Sequence, residues 1–246
     1  MIHRFETIDS TNTYLKQLAE GGAPAGTAVI AQSQTGGRGR LGRSFHSPSG
    51  SGIYLSYLLR PNCDPSELMH LTCAVAVAMC DAVEAATGLH PGIKWTNDLV
   101  HGKRKLGGIL TELGFENGKV SYAVLGIGIN CTQKAEDFPP EIKGIATSLA
   151  AVTGKPVNKA ALEAEMLQAL KTMDETLFHK EAILERYRKS CITLNQQICV
   201  VRGDESSYGT ALDVDSEGAL VVRFEDGTVR AVSSGEVSVR GMYGYL

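Results

Sequence analysis

The chain has 246 residues, 43% of them hydrophobic and 21% charged, with a formal net charge of −3. A chain of this length holds one large domain, or a large and a small one, and buries most of its apolar surface without covalent staples. The slight acidity excludes a protein whose main work is gripping nucleic acid, so any cationic cluster here serves a compact anion.

The N-terminus, Met1-Ile2-His3-Arg4-Phe5-Glu6, lacks the apolar core of a signal peptide. Ser10 has the chemistry of a helix N-cap, and the helix it opens carries Leu15 and Leu18 before Gly21-Gly22 stops it. Residues 27–32 and 52–59 read as strands, with Ile53, Leu55, Tyr57 and Leu59 on one face of the second. Asp64-Pro65-Ser66-Glu67 resembles a capping box with proline at the first helical position. The helix that follows aligns Leu68, Leu71, Val75, Met79 and Val83 and ends at Gly88. Its apolar run from Cys73 to Cys80 is too short to span a membrane.

From residue 92 to 130 the pattern is sheet. Asn117-Gly118 marks a tight hairpin between 106–115 and 119–130, and a weaker turn at 102–104 joins 98–101 to a strand opening at Lys105. One continuous helix is expected from Asn158 to about Lys189, with Leu162, Met166, Leu170, Met173 and Leu177 on one side. Beyond Asn195 short strands alternate with turns at Gly203-Asp204, Glu217-Gly218 and Asp226-Gly227. The expected fold is α+β: a mixed sheet with packed helices over residues 1–192, then a small β-barrel over 193–246. The six cysteines form no CxxC pair and have no matching histidine spacing, which argues against structural zinc. Scattered thiols and the missing leader together predict a soluble cytoplasmic protein, off the membrane.

The segment Gly36-Gly37-Arg38-Gly39-Arg40-Leu41-Gly42-Arg43 fits G-x-G-x-x-G and nearly fits a P-loop. Both motifs need a helix to start at once, because its N-terminal amides hold the phosphate. Phe45-His46-Ser47-Pro48-Ser49-Gly50 will not supply one, so neither nucleotide-fold reading stands. What remains is a glycine-rich loop with three guanidinium forks, suited to closing over a carboxylate or phosphate and excluding water. A merely solvated basic loop is the alternative.

Lys94-Trp95-Thr96-Asn97-Asp98 precedes Lys105-Leu106-Gly107-Gly108-Ile109-Leu110. Glycine inside a strand marks a bulge or a close approach by a ligand or backbone. Lys105 would then hold a carboxylate or an α-phosphate, unless it is an exposed strand-end lysine. Gly126-Ile127-Gly128-Ile129-Asn130 offers a second flat backbone surface.

In this order, from about Ile8 to Leu149, these motifs resemble the catalytic domain of biotin–protein ligases, a family related to the lipoate–protein ligases. Ser10-Thr11-Asn12 resembles its STN motif, Gln34 with the glycine–arginine segment its biotin loop, and Lys94 to Asp98 its KWPND motif, with Thr96 in place of proline. The resemblance implies a catalytic domain of the biotin/lipoate ligase type with an SH3-like C-terminal barrel. It implies adenylation of biotin by Mg-ATP, then transfer to a lysine of a biotin carboxyl carrier protein domain. It also implies residue roles: Ser10, Thr11, Asn12, Gln34, Gly37, Arg38, Gly39, Arg40, Lys105, Gly108 and Gly128 for biotin. Arg40, Arg43, Phe45, Lys94, Asn97, Lys105 and Asn130 fall to the nucleotide, with Lys105, Arg38 and Arg40 at the chemistry. No dedicated metal site is implied; Asp98 is the one candidate for Mg²⁺, against a structural role. No stretch before Ser10 is long enough for a helix-turn-helix, so the expectation is the ligase-only form without specific DNA binding, with sheet edges that leave room for a homodimer. A lipoate ligase, which lacks this arginine loop, and a non-catalytic biotin sensor are the rival readings.

Overall fold

A computed structural model of the chain describes residues 1–235 and 237–241. Among these, seven strands form one mixed sheet: β1 (Ile2–Ile8), β2 (Ala28–Gln34), β3 (Gly52–Leu59), β4 (Gly92–Lys94), β5 (Asp98–His101), β6 (Arg104–Glu116) and β7 (Lys119–Asn130). Their spatial order is β1-β2-β3-β7-β6-β5-β4; β1 and β2 run parallel and every other pair is antiparallel. The β6–β7 hairpin turns at Asn117 and Gly118, both at positive φ (51° and 79°), as a two-residue Asn-Gly connection requires.

Both faces of the sheet centre are covered, which is why β3 is buried along its whole length. On one face α1 (Thr11–Glu20) packs Leu15 and Ala19 against Val29, Leu58 and Val124. On the other lies α2 (Leu71–Thr87), nearly continuous in alanine, valine, leucine and cysteine. The segment Pro65–Thr87 is long and apolar enough to cross a membrane by length and composition, but 72% of its apolar 18-residue window is buried inside the protein. It is the core helix, and truncating a fully buried side chain there, such as Met79, costs roughly 2–5 kcal/mol. The six cysteines are free thiols, five of them buried.

Two local expectations are corrected, and one element is added. The added strand, β1, is an edge strand whose side chains stay partly or fully exposed, so it carries no clear apolar alternation. The capping box at Asp64 closes a single 3-10 turn, Pro65–Leu68, and the α-helix begins only at Leu71. After the short α3 (Leu149–Thr153), the helix expected from 158 to 189 is two helices, α4 (Lys159–Thr176) and α5 (Lys180–Ser190). Leu177 keeps its place in the apolar stripe, but the ring of buried His70 takes its carbonyl at 2.8 Å, and the chain turns before α5.

The C-terminal segment is antiparallel throughout: β8 (Gln197–Arg202), β9 (Glu205–Val214), β10 (Leu220–Phe224), β11 (Val229–Val232) and β12 (Ser238–Gly241), in the order β11-β10-β9-β8-β12. Its turns at Gly203, Gly218 and Gly227 fall where expected, all at positive φ. The α+β class with an all-antiparallel C-terminal sheet is thus the one the sequence predicts. This sheet is tied to the larger one by Trp95 Nε1 donating to the Gly218 carbonyl at 3.0 Å and Arg188 Nε to that of Val214 at 2.8 Å.

Candidate active site

One cavity gathers nearly all the singled-out residues: Ser10, Thr11, Asn12, Gln34, Arg38, Gly39, Arg40, Arg43, Phe45, Lys94, Asn97, Asp98, Lys105, Gly108 and Gly128. Gly37 and Asn130 are the exceptions. Gly37 is packed against the Phe45 carbonyl and Ser47 Oγ, where a Cβ would have no room. The Asn130 side chain is buried, donating to the Thr147 carbonyl at 3.0 Å and accepting from Gln133 at 3.4 Å.

The floor is made where β6 and β7 lack side chains. A Cβ on Gly126 would overlap the Asn12 amide, and one on Gly128 would overlap the Phe45 ring. A Cβ on Gly108 would come within 3.0 Å of Lys105 Nζ. The glycines therefore leave room for side chains of this cavity as well as for a ligand. The irregular register opposite Gly107, between Leu99 and Val100 of β5, is the bulge that the Gly107-Gly108 pair predicts.

At one end neutral polar groups form a continuous hydrogen-bonded chain. Gln34 Oε1 accepts from the Thr11 amide and hydroxyl at 2.9 and 3.1 Å, and its Nε2 donates to Ser47 Oγ at 3.0 Å. The fully buried Ser56 hydroxyl bridges Thr11 Oγ1 and Asn12 Oδ1 at 2.8 and 2.6 Å. Such an end suits an uncharged ligand head rich in donors and acceptors.

The glycine–arginine loop is a small hairpin. Phe45 N donates to the Gly37 carbonyl at 2.9 Å and Gly39 N to that of Arg43 at 2.7 Å, with Leu41 and Gly42 at positive φ at the tip. No α-helix follows it before β3, in agreement with the rejection of both nucleotide-loop motifs. Its three arginines reach different places. Arg38 Nη1 lies 3.2 Å from the Glu112 carboxylate, and Arg43 Nη2 donates to Ser238 Oγ at 3.4 Å. Arg40 donates to Asn97 Oδ1 at 2.9 Å, to the Val237 carbonyl at 3.2 Å and to the Ser234 carbonyl.

Between the two ends, Lys105 Nζ is ion-paired with Asp98 at 2.6 Å and sits 5.8 Å from the centre of the Phe45 ring. Lys94 is almost fully buried, and burial brings its pKa down to about 8; Lys105, Arg43 and Arg240 push the same way and Asp98 opposes them. The segment bearing these groups is gripped from behind. Trp95 N donates to the Thr193 hydroxyl at 2.9 Å, and Tyr187 donates to the Thr96 carbonyl at 3.1 Å. The Trp95–Thr96 peptide is cis, and Thr96 is buried. Asn97 is fixed by donating to the Ile109 carbonyl at 2.9 Å while it accepts from Arg40.

The sequence reading missed Val237, Ser238 and Val239, which bring the C-terminal sheet to the cavity rim. No local pattern announces a contact so far along the chain. Glu112 was passed over as well, although the two-residue repeat of a strand puts Gly108, Leu110 and Glu112 on one face of β6. Among the described residues no group of three or more His, Cys, Asp or Glu side chains is placed to hold a metal ion.

The chain matches the biotin/lipoate A/B protein ligase family over residues 4–130 and the biotin protein ligase C-terminal domain over 193–240. It is 36% identical over 234 residues to the bifunctional ligase/repressor BirA of Bacillus spizizenii, spanning 93% of this chain and 71% of that protein. It is 31% identical to the biotin–[acetyl-CoA-carboxylase] ligase of Mycobacterium tuberculosis, over 93% of this chain and 85% of that one. The biotin protein ligase of Aquifex aeolicus in complex with biotin and ATP superimposes with a TM-score of 0.82 at 28% identity, over 98% of both chains. The matched segments contain the polar end, the arginine loop, the Lys105 strand and the C-terminal rim described above, and the chain belongs to the biotin/lipoate A/B protein ligase family.

Proposed function

We propose that the chain is an ATP-dependent biotin–protein ligase: it adenylates biotin and passes the biotinyl group to a lysine of a biotin-dependent carboxylase, on its carboxyl carrier domain. The observation that carries this reading is the order of chemistry along one cavity, from the neutral polar end at Thr11, Asn12 and Gln34, past Lys105, to the cations Lys94, Arg40 and Arg43. A biotin ring in the polar end would point its carboxylate at Lys105, and the triphosphate would lie along the cations. The relatives' names, which join biotin, ATP and acetyl-CoA carboxylase, support the same assignment. Residues 1–192 would carry this chemistry and 193–246 would complete its rim.

In the first step a biotin carboxylate oxygen attacks the α-phosphorus of ATP, the bond to the β-phosphate bridging oxygen breaks, and pyrophosphate leaves. Two anions must meet, so Lys105 neutralises them while the loop arginines close over the acid and the adenylate and shield the site from water. In the second step the neutral ε-amine of the acceptor lysine attacks the acyl carbon of biotinyl-5′-AMP and AMP departs. Mg²⁺ fits as a phosphate-borne ion rather than a protein-caged one. Asp98 is the carboxylate at the cavity wall, and magnesium ordinarily needs only one or two carboxylates beside substrate phosphates. Bound there, the ion would add positive charge at the departing pyrophosphate.

Mass spectrometry of the protein after incubation with Mg-ATP and biotin or lipoate tests this directly. Retained biotinyl-5′-AMP with pyrophosphate released is the expected result. Biotin bound but never adenylated would point to a sensor, and lipoyl-AMP to the other branch of the family.

Lys94 gives a pH signature. Its charge is lost as pH rises through about 8, so kcat/KM for ATP is expected to decline above that value. Lys94→Arg should move that limb out of the measurable range; a wild-type profile flat between roughly pH 7 and 9.5 would rule the role out. The stability effect has the opposite sign. The folded protein releases this proton near 8 and the unfolded chain near 10.5, so between those values the unfolded state binds more protons and stability rises with pH.

A further inference from the structure

Glu112 lies outside the groups that the ligase chemistry requires, yet it joins two of them. It sits on β6 four residues beyond Gly108, on the strand face that forms the cavity floor. Its carboxylate accepts from Asn12 Nδ2 at 2.9 Å and pairs with Lys16 Nζ and Arg38 Nη1, each at 3.2 Å. The side chain is 16% exposed. Burial pushes its pKa up, but hydrogen bonds from Asn12 and Lys16 and the charge of Arg38 outweigh that and hold it below the usual carboxylate range. It is therefore an anion at neutral pH.

The two groups it joins come from different parts of the site. Asn12 opens α1 and belongs to the polar end; its amide is held from one side by Ser56 and from the other by Glu112. Arg38 rides on the glycine-rich hairpin, whose backbone is costly to immobilise. Glu112 engages a single arm of the Arg38 fork, and Arg38 also lines the cavity, so the remaining donors stay available to a ligand. Lys16, four residues beyond Asn12 on α1, shares Glu112 Oε1 with Arg38 and gives the carboxylate a second counter-charge.

We propose that Glu112 is a positioning residue that anchors Arg38 and Asn12 to one carboxylate, so that the loop and the polar end are held together around the cavity. The idea rests on the ligase reading. Its consequence is that Glu112 sets biotin affinity and adenylate retention rather than the rate of phosphoryl chemistry. Because a glycine-rich loop is costly to order, losing the contact that holds it in place weakens binding and speeds escape.

The test compares wild type, Glu112→Gln, Arg38→Ala and the double variant. The readouts are biotin KM and kcat for pyrophosphate release, and the dissociation rate of biotinyl-5′-AMP made in situ. Glutamine keeps the shape and one acceptor but loses the charge. E112Q is expected to raise biotin KM and adenylate dissociation about tenfold each, with kcat changed by less than about threefold, and to add clearly less than that in the Arg38→Ala background, where only the Asn12 contact is left to lose, since interacting residues are non-additive. An E112Q enzyme with unchanged KM and dissociation, a loss confined to kcat, or full additivity with Arg38→Ala would each overturn the proposal. Should E112Q lose its fold by circular dichroism, Glu112→Asp, which keeps the charge and shortens the reach, is judged by the same readouts and criteria. A wild-type protein that makes no biotinyl-5′-AMP sinks the ligase reading; a wild type that makes it, beside an indistinguishable E112Q, sinks this proposal alone.

Discussion

Lys105→Ala is expected to lower the rate of biotin-dependent pyrophosphate release by about 10²–10³-fold, the range seen when one preorganised donor to developing charge is removed. Lys105 is placed for this by three features. β6 fixes its backbone through the Ile145 and Thr147 contacts at 2.7 and 2.8 Å, Gly108 leaves space for the ammonium, and Asp98 holds it at 2.6 Å. Alanine does two kinds of damage. It removes the cation that brings carboxylate and α-phosphate together, and it leaves the Asp98 carboxylate facing both anions without this counter-charge. Lys105→Ala with Asp98→Asn should therefore be less impaired than the product of the two single effects, since the residues are in direct contact. Biotin binding measured by calorimetry should fall much less than turnover, because the Thr11, Asn12 and Gln34 end is untouched. Lys105→Arg should recover part of the rate. Near-normal turnover in Lys105→Ala would remove the residue from the chemistry.

Much of this site could be read before any coordinates, and the reason is physical. Residues that must present backbone or a flat floor are glycines, and glycines inside strands stand out: Gly107-Gly108 and Gly126-Ile127-Gly128 identified the floor from sequence alone. The hairpin at Asn117-Gly118 was equally legible, because positive φ at two successive positions selects those two residues. What stayed hidden depends on tertiary context. β1 is an exposed edge strand without an alternating pattern. The α4–α5 break occurs at a carbonyl claimed by His70, more than a hundred residues earlier in the chain. Asn130 was assigned to the nucleotide by resemblance alone, and the interior bonds of its amide to Thr147 and Gln133 are not written in any local pattern. The contribution of Val237 to Val239 depends on how the C-terminal sheet sits against the Trp95 strand pair, which no local periodicity encodes.

Arg40→Ala is expected to speed the escape of biotinyl-5′-AMP by about 30- to 100-fold, equivalent to about 2–3 kcal/mol, the upper range for hydrogen bonds to a charged group. Arg40 links the two parts of the chain: it donates to Asn97 at the β4–β5 junction and to the Ser234 and Val237 carbonyls beside the C-terminal rim. Burial lowers its pKa from the ordinary arginine value, against the pull of Asp98, but guanidinium has so large a margin that it stays charged. A charge held this way between fixed acceptors is preorganised, and closing the cavity requires little further ordering of the side chain. Alanine would take the Arg40 donor from Asn97 Oδ1 and leave that side chain its bond to the Ile109 carbonyl, free the loop tip from the rim, and open the adenylate to water. Lysine should rescue poorly, because a point charge cannot donate along three directions fixed by a planar fork. The measurement is the first-order loss of isotope-labelled biotinyl-5′-AMP from enzyme chased with unlabelled biotin. An escape rate equal to wild type would show that the rim contact is structural and that the loop closes without it. A large increase with pyrophosphate release intact would separate holding the intermediate, the task of Arg40 and the C-terminal sheet, from making it, the task of Lys105.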